Sequence, residues 1–237
     1  MPTDTDVPQV EVPHVEVPHI EVLSAVFRVN AEDGDASLHV LLARDPDSGW
    51  RLPGGDVGPR ETLEAAAERH LGAQCGLTRI AHLEQLALLS DPDRVPASRT
   101  IASTYLGLVP ADVPADPAAA AAWVDVDDLP ALAYDHAEIV RLARGRLAAK
   151  LSYTNIAFAL APGQFPMSEL AEIYGAALGY PVDATNLLRV LSRRGVVVAT
   201  GTVGRTGRSG GRPPSLYTFA DDALVVTDEF ATLRPPP

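Results

Sequence analysis

Residues 53–77 read Pro53-Gly54-Gly55-Asp56-Val57-Gly58-Pro59-Arg60-Glu61-Thr62-Leu63-Glu64-Ala65-Ala66-Ala67-Glu68-Arg69-His70-Leu71-Gly72-Ala73-Gln74-Cys75-Gly76-Leu77. A glycine loop runs into a helix expected over Glu61 to Gln74, because Leu63, Ala66, Ala67 and Leu71 recur on one stripe at helical spacing. Pro53-Gly54-Gly55 allows a backbone to approach a phosphate closely. Arg44, Arg51, Arg60 and Arg69 are the cations near it that can meet a diphosphate or a carboxylate. Gly54, Gly55 and these four arginines are therefore the candidate ligand-binding residues. Glu64 and Glu68 form an i,i+4 pair that reads as a solvated face. Gly72 inside the helix costs about 1 kcal/mol against alanine.

Strands flank this loop and helix. Leu23 to Val29 and Leu38 to Ala43 are apolar and partly β-branched, with a polar turn between them, and read as a strand pair. Ile80 to Leu89, Thr100 to Val109 and Trp123 to Val126 read as further strands, and Arg51 to Gly55 and Pro110 to Pro117 as loops. Ile139, Leu142 and Leu147 mark a helix over His136 to Leu151. Strands interleaved with two helices give an α+β fold, an α/β/α sandwich over residues 20–152, with a linking stretch near Ser152 to Pro166.

The remainder is patterned differently. A helix starts at Met167 with Leu170, Ile173, Tyr174 and Ala177 inward, and Ser168 is the candidate cap. After the turn Leu178-Gly179-Tyr180-Pro181, Asp183 caps a second helix, Ala184 to Arg194, which Gly195 ends. Val196 to Val198 and Ser215 to Phe219 then flank a glycine- and arginine-rich tip. Helix, turn, helix and hairpin describe a winged helix-turn-helix over residues 153–222, followed by a tail, 223–237. Thr185, Asn186, Arg189 and Arg193 lie on or near the face opposite the apolar stripe, with Arg194 adjoining. Asn and Arg on an exposed helix face suit the major groove of double-stranded DNA. Arg205, Arg208 and Arg212 in the hairpin tip suit phosphates or a narrow minor groove.

Charge separates the same two halves. The chain of 237 residues has a net charge of −12, with 24 acids and 12 bases in residues 1–150, yet Ala184 to Ala220 holds six arginines and no acid. An exposed face ordinarily mixes signs; this one does not, which marks a nucleic-acid footprint. Cys75 is the single cysteine, so no intrachain disulfide forms, in keeping with a cytoplasmic protein. No apolar run approaches a membrane span. Residues 7–21 are three copies of a Val-Pro-x-Val/Ile-Glu pentapeptide, read as an extended tail over 1–19 whose last copy leads into a strand. His14 and His19 within it do not by themselves make a metal site.

The loop and helix resemble a Nudix box, whose pattern is G-x5-E-x7-R-E-U-x-E-E-x-G-U with U a bulky apolar residue. Gly55, Glu61, Arg69, Leu71, Gly76 and Leu77 fit it at the right spacing, but His70, Ala73 and Gln74 hold the places of three carboxylates. Magnesium takes hard oxygen ligands, and pyrophosphate cleavage needs that metal. The expectation is therefore no catalytic residue, no metal and no cofactor: a pocket that binds a nucleotide and leaves it intact. An eroded Nudix domain joined to a winged helix resembles the NrtR family, Nudix-related transcriptional regulators of NAD metabolism. The likeness runs over about residues 20–222 and includes Leu52 to Gly55, Asp91-Pro92, Trp123 to Pro130, Tyr134-Asp135-His136, Leu151 to Ala157, Gln164 to Leu170, Asp183 to Arg189 and Gly211 to Pro213.

The resemblance implies a homodimer that binds a palindromic operator at NAD biosynthesis or salvage genes as a repressor and senses ADP-ribose in its Nudix domain. The chain departs from relatives at Asn186-Leu187-Leu188-Arg189, where an aromatic and a further arginine tend to follow the asparagine. It departs again at Asp93, where an arginine often follows Asp-Pro. Two alternatives stay open on the residues alone: a hydrolase of ADP-ribose or a sugar nucleotide using Glu61, Glu64 and Glu68, and the same kind of regulator with another effector.

Overall fold

The computed structural model describes residues 17–32, 35–46, 48–110, 120–204 and 213–228. The first two pentapeptide copies, most of the loop expected at Pro110 to Pro117, and Arg205, Arg208 and Arg212 lie outside these residues.

The sheet is organised by β1 (His19–Glu32). It pairs antiparallel with β2 (Asp35–Asp45) from Phe27 opposite Val40, and parallel with β6 (Thr100–Leu108) from His19 opposite Thr100 to Phe27 opposite Leu108. β3 (Gly49–Arg51) and β7 (Ala121–Asp125) pair with β2, β4 (Gly54–Asp56) pairs with β1, and β5 (His82–Leu89) pairs with β6. Side chains alternate across a strand, and β1 is apolar on both faces. Leu23, Ala25, Phe27 and Val29 join the cluster formed with α2 (His136–Tyr153). Val22 and Val26 join clusters with Ala66, Ala67, Leu71 and Cys75 of α1 (Leu63–Cys75). A helix on each face is the expected α/β/α sandwich.

Two short strands replace the loop expected at Arg51 to Gly55. Three-residue strands leave no periodicity in a sequence, and their cause is steric. Gly54 and Gly55 have φ of +155° and +151°, and a Cβ on Gly54 would stand 2.0 Å from the Val22 carbonyl oxygen. The glycines thus let β4 lie against β1. α1 begins two residues later than expected, at the Thr62 cap, whose hydroxyl accepts from the Ala65 N–H at 3.2 Å. It ends at Gly76, in the left-handed conformation.

The winged helix comprises β8 (Phe165–Pro166), α3 (Met167–Leu178), α4 (Ala184–Arg193), β9 (Val197–Val203) and β10 (Ser215–Phe219), with strand order β8-β10-β9. Asp183 caps α4 as expected, accepting from the Asn186 N–H at 2.7 Å. Ser168 does not cap α3: the cap position is Pro166, without a side-chain bond. The stretch expected as a linker is packed instead. Ile156, Ala157, Ala159 and Leu160 are fully buried, and one core cluster runs from β1 through α2 and this stretch into α3 and α4. Residues 223–228, expected as a tail, are fastened to the end of α2 by hydrogen bonds. Among the described residues, no helix is long and apolar enough to cross a membrane.

Candidate ligand cleft and nucleic-acid interface

A cleft of about 590 Å³ opens where the start of β1, β4, the exposed side of α1 and the approach to α2 meet. Its lining includes Glu21, Arg51, Gly54, Gly55, Asp56, Arg69, His70, Gln74 and Tyr134. Four expected ligand residues, Arg51, Gly54, Gly55 and Arg69, are thereby brought together with the acids Glu21 and Asp56 and the ring of Tyr134. Arg44 and Arg60 are not. Arg44 lies over the Trp50 ring, 5.5 Å from its centroid, and lines a neighbouring hollow that shares Arg51 and Gln74 with the cleft. Arg60 is exposed in the turn before α1.

The side chains of α1 that face the cleft are bonded to the cleft itself. Gln74 accepts from the Gly54 N–H at 3.0 Å and donates to the Gly54 carbonyl at 2.8 Å. His70 Nε2 stands 3.0 Å from the Asp56 carbonyl, and the imidazole is packed where a Cβ on Gly55 would come within 2.9 Å of it. Arg51 also donates to the Gly54 carbonyl, at 2.8 Å. The Gly54 amide is therefore spent within the fold, and its glycine serves the approach to β1.

Arg69 donates from two nitrogens to the two oxygens of Glu61, each at 2.7 Å. These bonds and the Gly58 N–H hold the Glu61 carboxyl down at about 2. His70, Ala73 and Gln74 at the carboxylate positions supply no hard anionic oxygen, and Glu61 is already paired. This donor set does not fit a magnesium-type ion. Among the described residues, no group of three or more His, Cys, Asp or Glu converges as a metal site.

The most buried charge at the cleft is one that sequence reasoning missed. Arg94, with a side chain 1% exposed, donates to both oxygens of Asp135 at 2.8 and 2.9 Å and to Glu21 at 2.6 Å. It stands one position beyond the Asp91-Pro92-Asp93 site where an arginine was expected, so the Asp-Pro motif was the signal for it. Asp135, at the cap position of α2, makes no side-chain cap bond. Beside it, Tyr134 is 57% exposed and has φ +49°, the one non-glycine residue with positive φ among those described. His136 Nδ1 accepts from the Leu52 N–H at 2.9 Å, and burial pushes its pKa down to about 4, so it is neutral at pH 7.

On the winged helix, Thr185, Asn186, Arg189 and Arg193 are exposed on α4 while Leu187 and Leu191 are buried. Arg189 donates to the Asn186 amide oxygen at 2.6 Å. The sequence from Ala184 to Ala220 contains no acid. Arg194, expected among the DNA contacts, is held by partners within the fold. It donates to the Ser152 carbonyl at 3.0 Å and to Asp228 at 2.7 Å, which turns it away from the exposed face. Sequence alone gave no sign of this, because Asp228 lies 34 residues away.

Comparison with known proteins follows the same two-part division. The model of the NUDIX domain matches residues 21–143, and that of the NrtR DNA-binding winged helix domain matches residues 157–219. Over 207 residues the chain is 29% identical to the ADPR responsive transcriptional repressor NtrR of Acinetobacter baylyi, covering 83% of this chain and 80% of that one. The crystal structure of Shewanella oneidensis NrtR complexed with a 27mer DNA superposes with a TM-score of 0.70 at 25% identity, covering 84% of this chain and 93% of that one. Over 95 residues the chain is 36% identical to an ADP-ribose pyrophosphatase of Methanocaldococcus jannaschii, covering 39% of this chain and 55% of that protein.

Proposed function

Because this chain belongs to the Nudix family and carries an NrtR-type winged helix behind its Nudix domain, we propose that it is a transcriptional repressor responsive to ADP-ribose. The observation that carries this reading is the contrast within one continuous core. One end holds a cleft whose helix is bonded to its own loop; the other holds a helix whose exposed face is basic and free of acid. Arg51 and Arg69 supply cations for the diphosphate, and Tyr134 supplies an exposed ring for a base or ribose. The ligand is bound and not hydrolysed, because the residues at positions 70, 73 and 74 give no oxygen anion to hold the metal that cleavage requires.

On the DNA side, Thr185, Asn186, Arg189 and Arg193 enter the major groove, and Arg205, Arg208 and Arg212 follow the adjoining backbone. Two copies place two such helices on a palindromic operator, at genes of NAD synthesis or salvage. Effector binding changes repression only if it favours one of two arrangements of those helices over the other.

The test is a gel shift with DNA upstream of the chain's own gene and of neighbouring NAD genes, with and without ADP-ribose. The expected result is a retarded band whose intensity ADP-ribose changes. The same protein incubated with ADP-ribose and Mg²⁺ or Mn²⁺ returns the nucleotide intact. Release of AMP at steady turnover, with no promoter shifted, would overturn the reading in favour of a hydrolase.

A further inference from the structure

The end of α2, the end of α4 and the chain beyond the wing meet at one joint. Arg194 is the cap residue of α4, its N–H bonded to the Val190 carbonyl at 3.2 Å. Its guanidinium reaches the Ser152 carbonyl in the last turn of α2 and the Asp228 carboxylate, at 3.0 and 2.7 Å. The carbonyls of a helix's last turn have no partner within the helix and carry its negative pole. Arg194 thus caps two helices at once, one with its backbone and the other with its side chain. The Arg194 and Asp228 side chains are only 15% and 10% exposed, so water competes weakly for this pair.

Residues 223–228 complete the joint by polar contacts. Asn155 donates to the Ala223 carbonyl at 2.8 Å and accepts from the Val225 N–H at 2.7 Å. The Tyr153 carbonyl accepts from the Thr227 and Asp228 N–H groups at 2.8 and 3.1 Å. Leu224, Val225 and Val226 meanwhile remain 36%, 40% and 54% exposed. Apolar burial therefore contributes little to holding this segment; hydrogen bonds and the ion pair hold it.

The other end of α2 belongs to the cleft. Tyr134 lines it, and the next residue, Asp135, is tied through Arg94 to Glu21, which also lines it. Between these ends α2 runs 18 residues, about 27 Å at 1.5 Å per residue. One continuous helix therefore joins Asp135 at the cleft to Ser152 at the joint.

We propose that Arg194 is a positioning residue rather than a DNA contact: paired with Asp228 and the Ser152 carbonyl, it sets the recognition helix on the end of α2 and passes the state of the cleft to it. This rests on the reading of the chain as an ADP-ribose-responsive repressor and names the element through which the response travels.

The test uses the full chain and a fluorescein-labelled duplex covering the region upstream of its own gene. DNA affinity is measured by anisotropy with and without saturating ADP-ribose, and ADP-ribose affinity by calorimetry. The native chain is expected to show a coupling factor within the usual range, about 5–150-fold. In Arg194→Ala that factor is expected to fall to within about twofold of unity, with ADP-ribose affinity unchanged. The dependence of log affinity on log salt is expected to stay native, whereas loss of a phosphate contact would lower the slope by about 0.9.

Asp228→Asn keeps the backbone bonds and covers the case in which Arg194→Ala unfolds; it too is expected to lose coupling. A native coupling factor in both single variants, or a slope lowered by about 0.9 in Arg194→Ala, would overturn the inference. If the native chain itself shows no effect of ADP-ribose on DNA, the functional reading fails and the inference falls with it. If the native chain responds and the variants respond alike, only the inference fails.

Discussion

α1 and α4 are helices of 13 and 10 residues, each with one buried stripe and one polar face, and they use that polar face in opposite ways. On α1, Arg69, His70 and Gln74 are bonded to Glu61, Asp56 and Gly54 of the loop beside them. On α4, Thr185, Asn186, Arg189 and Arg193 face solvent, with a contact between Asn186 and Arg189. A cleft that must hold one ligand in one pose gains from side chains already fixed in place. A groove reader needs donors left over for base edges and phosphates. Substitution should therefore cost stability on α1 and its loop, and DNA affinity on α4.

The largest effect is expected where the α1 loop meets the sheet. In Gly54→Ala the new methyl would stand 2.0 Å from the Val22 carbonyl oxygen at φ +155°, so β4 must leave β1. Steric strain of this kind should lower the unfolding free energy by about 3–5 kcal/mol, read by urea denaturation. A loss under about 1 kcal/mol would mean that the cleft is not locked by this contact.

Next in size is a pH effect confined to the cleft end. His136 is buried and neutral, with its pKa held near 4 against an unfolded value of 6.5. The unfolded chain therefore takes up this proton first as pH falls. The stabilisation is full above about pH 6.5 and is lost progressively towards pH 4, amounting to about 3 kcal/mol over that window. His136→Asn keeps an acceptor for the Leu52 N–H and does not titrate. The difference in stability between the two proteins should shrink across the window; a difference independent of pH would refute the buried neutral imidazole.

These sites also show what the sequence could reveal. The sandwich and the winged helix were legible, because the apolar, partly β-branched run of β1 and the Leu187/Leu191 stripe on α4 are local patterns that burial enforces. The pairing of Gln74 with Gly54 was not, since 20 residues of chain separate them. Arg94 and the partners of Arg194 escaped notice for the same reason. An arginine in a sequence looks like a surface cation until the carboxylates from distant segments, Glu21 and Asp135 for one and Asp228 for the other, are seen beside it. The α4 face was easier to read because the run from Ala184 to Ala220 offers Arg189 and Arg193 no carboxylate nearby in sequence, although Arg194 in the same run finds a distant one in Asp228.

On α4 itself, Arg189→Ala should weaken operator binding by about 1–3 kcal/mol, about 5–150-fold, while leaving ADP-ribose affinity native. Anisotropy and calorimetry on one preparation decide it. Equal loss of both affinities would erase the division between the helices.

The sharpest comparison applies one chemical change, amide to carboxylate, to both helices. In Gln74→Glu the side chain keeps its length and can still accept from the Gly54 N–H, but it loses the bond it donates to the Gly54 carbonyl and sets an anion against that oxygen. The unfolding free energy should drop by about 1–3 kcal/mol. In Asn186→Asp the new anion sits in the first turn of α4 beside Arg189, where the helix dipole and the guanidinium both favour it. Stability should change by no more than about 0.5 kcal/mol. DNA binding should nevertheless fall, because a carboxylate repels the phosphates the face must approach. If both variants lose stability alike, the polar face of α4 is bound up in the fold to the same degree as that of α1, and it was never free to read a groove.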